Sequence, residues 1–203
     1  MKKLVIFDLD GVLVDACEWH RLALNNALKE VCNYEISLED HYKHFNGAPT
    51  KVKLNRLTEQ GIISVEQHKK VYELKQKFTL EIIESKAEYR PEKVEMIGFL
   101  KNNNCEVACF TNSIRQTALL MLYKTGVLGL LDKILTNEDV KNPKPDPEGY
   151  IFLVNDFNVN KKDVIIVEDS PKGIQAAKAS GCEVIEVENP DQVSLKLFKR
   201  YFK

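Results

Sequence analysis

Four short apolar runs, LVIF at 4–7, EVACF at 106–110, KILT at 133–136 and DVIIV at 163–167, are each followed by small, polar or acidic residues. A fifth run, CEVIEV at 182–187, follows Gly181 closely. Runs of this length without polar alternation suit strands buried on both faces of a parallel sheet. Helix-like stretches lie between them, over 91–102, 114–124, 147–157 and 171–180, the last ending at Gly181 as a helix C-cap would. The alternation predicts an α/β fold with a doubly wound, Rossmann-like parallel sheet as its core.

The segment 15–87 breaks that rhythm. It has no convincing β run and carries helical apolar spacing at Leu22, Leu24, Ala27, Leu28 and Val31. It reads as an α-helical cap domain inserted after the first strand, leaving 1–14 and 88–203 as the core domain. Asn46, Gly47, Ala48 and Pro49 mark a loop that divides the cap.

In open α/β sheets, ligands bind just beyond the carboxyl ends of the strands. There the four principal runs lead into Asp8-Leu9-Asp10-Gly11, Thr111-Asn112-Ser113, Asn142-Pro143-Lys144-Pro145 and Glu168-Asp169-Ser170. So many charged groups at one edge repel and desolvate each other unless a metal and an anionic substrate balance them. Carboxylates from two strand ends supply the hard oxygens that Mg²⁺ prefers. The metal set is therefore read as Asp8, Asp169 and Glu168, with Asp10 contributing its carbonyl. Asp8 then serves as a carboxylate nucleophile toward phosphorus, and Asp10 as the acid and base for the leaving and entering oxygens. Lys144, Thr111 and Asn112 stabilise the transferring phosphoryl group.

The segments FDLDGVLVD, FTNS, NPKPDPEGY and VEDSPKG resemble, in order, the four signature motifs of the haloacid dehalogenase superfamily. The longer stretch VEDSPKGIQAAKASG is similar to the branch that contains β-phosphoglucomutase and sugar-phosphate phosphatases, and the early helical insert matches that branch's small cap. The resemblance implies Asp8 as nucleophile, Asp10 as acid/base, Thr111 and Lys144 as phosphate ligands, and Asp169 with Glu168 beside the metal. Asp10 and the acidic pair favour magnesium phosphate chemistry over dehalogenation. In the cap, the resemblance points to His20 on the first helix and to Gly47, Thr50 and Lys51 in a loop that selects substrate. Ala16, and the absence of an arginine around Pro49, Thr50 and Lys51, depart from the mutase pattern.

Several features have plainer readings. Thr111 and Ser113 suit helix capping, His20 and Trp19 suit cap packing, and Gly173 suits helix packing. His41 and His44 read as a solvated helix face, and Lys75 and Lys77 as part of an ordinary charged one. The 29 basic residues nearly match 30 acidic ones, for a net charge of −1, so neither nucleic acid nor membrane is an expected partner. Five cysteines without a CxxC pair suggest reduced thiols. The first apolar run is too short for a signal-peptide core or a membrane span. The resulting expectation is a cytoplasmic monomer that dephosphorylates a small phosphorylated metabolite. The alternatives are a phosphomutase with the same core residues, a phospho-acceptor signalling module, and a catalytically silent binding protein. Asp8 on the first strand, with a cap following it, argues against the signalling module.

Overall fold

The computed structural model describes residues 2–202. The chain divides into two compact units, one formed by the residues up to Asp15 and from Glu88 onward, the other by Ala16–Ala87.

The first unit holds a five-stranded sheet built from β1 (Leu4–Phe7), β2 (Glu106–Phe110), β3 (Lys133–Leu135), β4 (Val164–Glu168) and β5 (Glu183–Glu186). The strand order is β3-β2-β1-β4-β5 and every pair is parallel. This is the α/β doubly wound architecture expected from the apolar runs. β1 and β4 are buried along their whole length, which explains why they read as unbroken apolar runs. The direction of winding reverses between β1 and β4, and such a switch point opens a crevice at the carboxyl ends of the two strands.

On one face, Leu4, Ile6, Ala108, Phe110 and Ile166 form a core with Tyr150 and Leu153 of α7 (Glu148–Asp156) and Ala176 and Ala177 of α8 (Pro171–Ser180). α8 starts where the Ser170 hydroxyl accepts the Gly173 N–H at 3.1 Å, with Pro171 in the first turn, and stops at Gly181, whose φ of 80° terminates it. Alternation along β1 sends Phe7 to the other face, where its ring meets that of Phe198 edge-on at 5.7 Å. Lys93 lies fully buried in the nearby helix α5 (Pro91–Asn102). It donates to the carbonyls of Pro190 and Val193, the latter at 2.6 Å. Burial, helped by Arg90, lowers its pKa to about 8.

The second unit contains α1 (Cys17–Cys32), the short turn α2 (Leu38–Asp40), α3 (Thr50–Glu59) and α4 (His68–Lys86). α1 and α4 lie against each other, and Leu24, Leu28, Leu57 and Val71 are among the residues of a separate apolar core. Buried Asn25 pins the chain after α1: its amide donates to the Ile36 carbonyl and its oxygen accepts the Ile36 N–H, both at 3.0 Å.

Three expectations in this unit need correction. Thr50 and Lys51 form the first turn of α3 rather than a loop, because Pro49 takes an extended conformation just ahead of it. His41 is buried rather than solvated. A wide π-turn over His41–Phe45, closed by the Asn46 N–H on the His41 carbonyl at 2.8 Å, puts His41 and Phe45 on the protected side. Burial, with Lys53 and Arg21 nearby, lowers the His41 pKa to about 4. Lys75 is likewise buried, whereas Lys77 is exposed as expected. Among the described residues no helix is long and apolar enough to cross a membrane.

Replacing Lys93 by Met keeps much of the volume but removes the donor from two carbonyls. Lys93→Met is expected to lower unfolding free energy by about 1–3 kcal/mol, read from urea denaturation. An unchanged midpoint would show that the buried ammonium contributes nothing net.

Candidate active site

Lys144, on the loop between β3 and α7, is 3% exposed and sits at the centre of the charged cluster. Its ammonium donates to Asp8 Oδ1 at 2.6 Å, to Glu168 Oε1 at 2.6 Å and to the Phe110 carbonyl at 2.7 Å. Those three acceptors stand at or just past the ends of β1, β4 and β2. An ammonium has three protons, and all are used. The charge also lies over the rings of Phe110 and Tyr150, at 4.7 and 5.1 Å from their centroids.

Asn112 holds this loop in place. Its side-chain oxygen accepts the Lys144 N–H at 3.0 Å and its amide donates to the Lys144 carbonyl at 3.1 Å. The side chain therefore grips the backbone of the loop that carries Lys144. Further along the loop, Glu148 accepts the N–H groups of Lys141 and Asn142 at 2.8 and 2.9 Å.

Asp10 follows Asp8 in a tight turn, where the N–H groups of Leu13 and Val14 both donate to the Leu9 carbonyl at 3.0 Å. Its Oδ2 accepts the hydroxyls of Thr111 at 3.2 Å and Ser113 at 2.9 Å. The N-cap position of the next helix, α6 (Arg115–Thr125), is Ile114 rather than Thr111 or Ser113. Strand order explains the difference, since β2 lies beside β1 and brings Thr111 and Ser113 to Asp10.

Asp8, Glu168 and Asp169 each present an oxygen within 4.8 Å of the other two. A cation fits this group on two counts. Asp169 Oδ1 is buried with no hydrogen-bond partner. Charge is also unbalanced: burial, then Glu168 and Asp10, raise the Asp169 pKa to about 7. Burial raises Asp8 as well, against the pull of Lys144, while Asp8 and Glu168 outweigh burial and keep Lys144 protonated. Asp8, Asp169 and Lys144 moving upward together mark a site short of positive charge.

Glu168 differs from the other two acids. Oε1 accepts from Lys144 and, at 2.6 Å, from the Tyr150 hydroxyl; Oε2 accepts the Asp169 N–H at 3.1 Å and the Ser170 hydroxyl at 3.4 Å. Four donors match the four lone-pair positions of a carboxylate, so Glu168 is more fully committed to protein donors than Asp8 or Asp169. His20 on α1, Gly47 in its turn, and Thr50 and Lys51 on α3 all belong to the Ala16–Ala87 unit.

Residues 5–187 match the family model for haloacid dehalogenase-like hydrolases. The chain belongs to this family. It is 32% identical over 184 residues to the phosphorylated carbohydrates phosphatase of Thermotoga maritima, covering 89% of this chain and 82% of that one. It is 27% identical over 187 residues to a phosphoglycolate phosphatase of Nitrosospira multiformis, covering 90% and 81%. The crystal structure of β-phosphoglucomutase from Clostridium difficile superposes with a TM-score of 0.83 at 22% identity, covering 100% of this chain and 97% of that one. That last likeness is one of fold.

Two features of the site carried no chemical reading in the sequence. Tyr150 lies within the third motif but looks like an ordinary core aromatic. Gly173 looks like a packing residue, yet a Cβ there would overlap the Glu168 carboxylate. Glycine to alanine inside a helix ordinarily gains up to about 1 kcal/mol. Gly173→Ala should instead cost about 1–3 kcal/mol through overpacking, a reversal of sign readable by thermal melting.

Proposed function

We propose that this hydrolase is a Mg²⁺-dependent phosphatase of a small phosphorylated metabolite, a sugar phosphate in particular, working through an aspartyl phosphate on Asp8. The observation that carries the reading is the state of Asp8. One of its oxygens is tied to Lys144, while Asp169, with an unpartnered oxygen, lies beside it.

Asp8 and Asp169, with the carbonyl of Asp10, would hold Mg²⁺, which when bound offsets the excess negative charge and lets a phosphate dianion approach. An oxygen of Asp8 attacks phosphorus as the bond to the leaving oxygen breaks, and Asp10 gives that oxygen its proton. Water then attacks phosphorus, Asp10 takes the water's proton, and the bond to Asp8 breaks to release phosphate. The Thr111 and Ser113 hydroxyls hold Asp10 in orientation, and Lys144 turns from Asp8 toward the phosphoryl oxygens as charge moves onto them. The proposed setting is the cytoplasm, as a single chain. Reduced thiols suit that setting: all five cysteines are free, and burial pushes Cys105 up to about 12.

A second reading is a phosphomutase, in which a substrate hydroxyl replaces water; end-to-end likeness to a β-phosphoglucomutase fold supports it. Assays of sugar phosphates with Mg²⁺ separate the two, since a phosphatase releases inorganic phosphate and a mutase yields an isomeric sugar phosphate. In either case Asp8→Asn should lower turnover by at least about a thousandfold. Equal turnover in both proteins would remove Asp8 as nucleophile.

The raised pKa of Asp169 also sets a pH dependence. Between the ordinary aspartate range and about 7, the folded metal-free chain holds a proton that the unfolded chain has released. Metal-free stability should therefore fall as pH rises through that window. Mg²⁺ takes the carboxylate form and must displace this proton, so the rise in Tm on adding Mg²⁺ should be larger at pH 8 than at pH 5.5. A rise that ignores pH would take Asp169 out of the metal set.

A further inference from the structure

Tyr150 contacts both members of the Lys144–Glu168 pair, and no step above gives it a role. It is fully buried on α7, and its hydroxyl donates to Glu168 Oε1, the same oxygen that receives Lys144. Its ring stands edge-on to Phe110 at 5.0 Å and 86°. The neighbouring Gly149 makes that possible, because a Cβ there would overlap the Phe110 ring. Phe110 in turn lends its carbonyl to Lys144. Burial and the adjacent Glu168 keep the phenol protonated far above the ordinary tyrosine range, so it acts there as a donor.

We propose that Tyr150 is a positioning residue for phosphoryl transfer: by holding Glu168, it fixes the ammonium of Lys144 in line with Asp8. The proposal rests on Asp8 acting as the nucleophile. When Asp8 takes up a phosphoryl group its carboxylate charge is lost, and the Lys144 proton directed at it must turn to the phosphoryl oxygens. The contacts to Glu168 and Phe110 are then what keep the ammonium in place. Glu168 itself is anchored by Tyr150 on one oxygen and by Asp169 and Ser170 on the other. Removing the phenol leaves Oε1 with Lys144 as its one donor, so the ammonium is drawn toward Glu168 and away from the phosphoryl position. Tyr150 bonds to Glu168 rather than to the reacting atoms, so its effect is on geometry.

The test uses the full chain as wild type, Tyr150→Phe, Glu168→Gln, the double variant and Asp8→Asn. It measures kcat and KM on a sugar phosphate, binding of inorganic phosphate with Mg²⁺ by calorimetry, and Tm. Tyr150→Phe should lower kcat/KM about tenfold, the size of one lost hydrogen bond to a charged group. Phosphate binding should weaken by a similar factor. In the Glu168→Gln background, Tyr150→Phe should bring little further loss, because the phenol acts through Glu168. Unchanged kcat/KM and phosphate affinity, additive losses in the double variant, or a variant that loses its fold would each overturn the positioning role. Turnover surviving in Asp8→Asn would overturn the parent reading. Turnover lost in Asp8→Asn but undiminished in Tyr150→Phe would overturn the role of Tyr150 alone. If no sugar phosphate is turned over, phosphate affinity decides: a tenfold weakening supports the role and an unchanged affinity overturns it.

Discussion

Lys144 places one positive charge where β1, β2 and β4 end, and it is bonded to an oxygen from each of them. Taking an ammonium and two carboxylates out of water costs several kcal/mol per ion, and such a group persists only if every proton and lone pair is matched. Here the match on Lys144 and Glu168 is complete. The same arrangement that makes these charges tolerable also sets how far each acid is committed to protein donors. Glu168 is saturated by protein donors, while Asp169 retains an unpartnered oxygen and Asp8 faces Lys144 with one of its own. Three acidic residues in one cluster thus differ in availability through hydrogen bonding alone.

Close approach around this cluster depends on side chains that are missing. Gly11, Gly149 and Gly173 leave the spaces taken by Asp169, Phe110 and Glu168 respectively. They come from the turn after β1 and from two different helices, yet all three border the same charged cluster. The clamp of Asn112 on Lys144 and the grip of Glu148 on the loop before it add rigidity from the backbone side. A site built on strand ends and braced in this way is pre-organised, and electrostatic stabilisation of a developing charge requires that.

Much of the core was legible in the chain. Strands buried on both faces need unbroken apolar runs, so β1 and β4 show themselves directly, and the residues just past each run follow from where parallel sheets bind ligands. The Ala16–Ala87 unit was less legible, because helical periodicity reports a buried face without fixing which polar residues share it. His41 was misread for that reason: a π-turn rotates it inward, and nothing in the spacing of His41 and His44 encodes the extra residue per turn. The resemblance puts Thr50 and Lys51 in a loop with Gly47, whereas the helix resumes immediately after the break at Pro49.

The sequence by itself determined the elements, their burial and the chemical types at each strand end, because these depend on local pattern and on rules common to parallel sheets. Tertiary structure alone decided the pairings. Asp8 and Lys144 are 136 residues apart, and only the order β3-β2-β1-β4-β5 brings β1 between β2 and β4. From that order follow the contacts of Thr111 and Ser113 with Asp10, the filling of every lone pair on Glu168, and the position of the Tyr150 hydroxyl. Hydrogen bonds are made or lost within a few tenths of an ångström, and residue type carries no information at that scale.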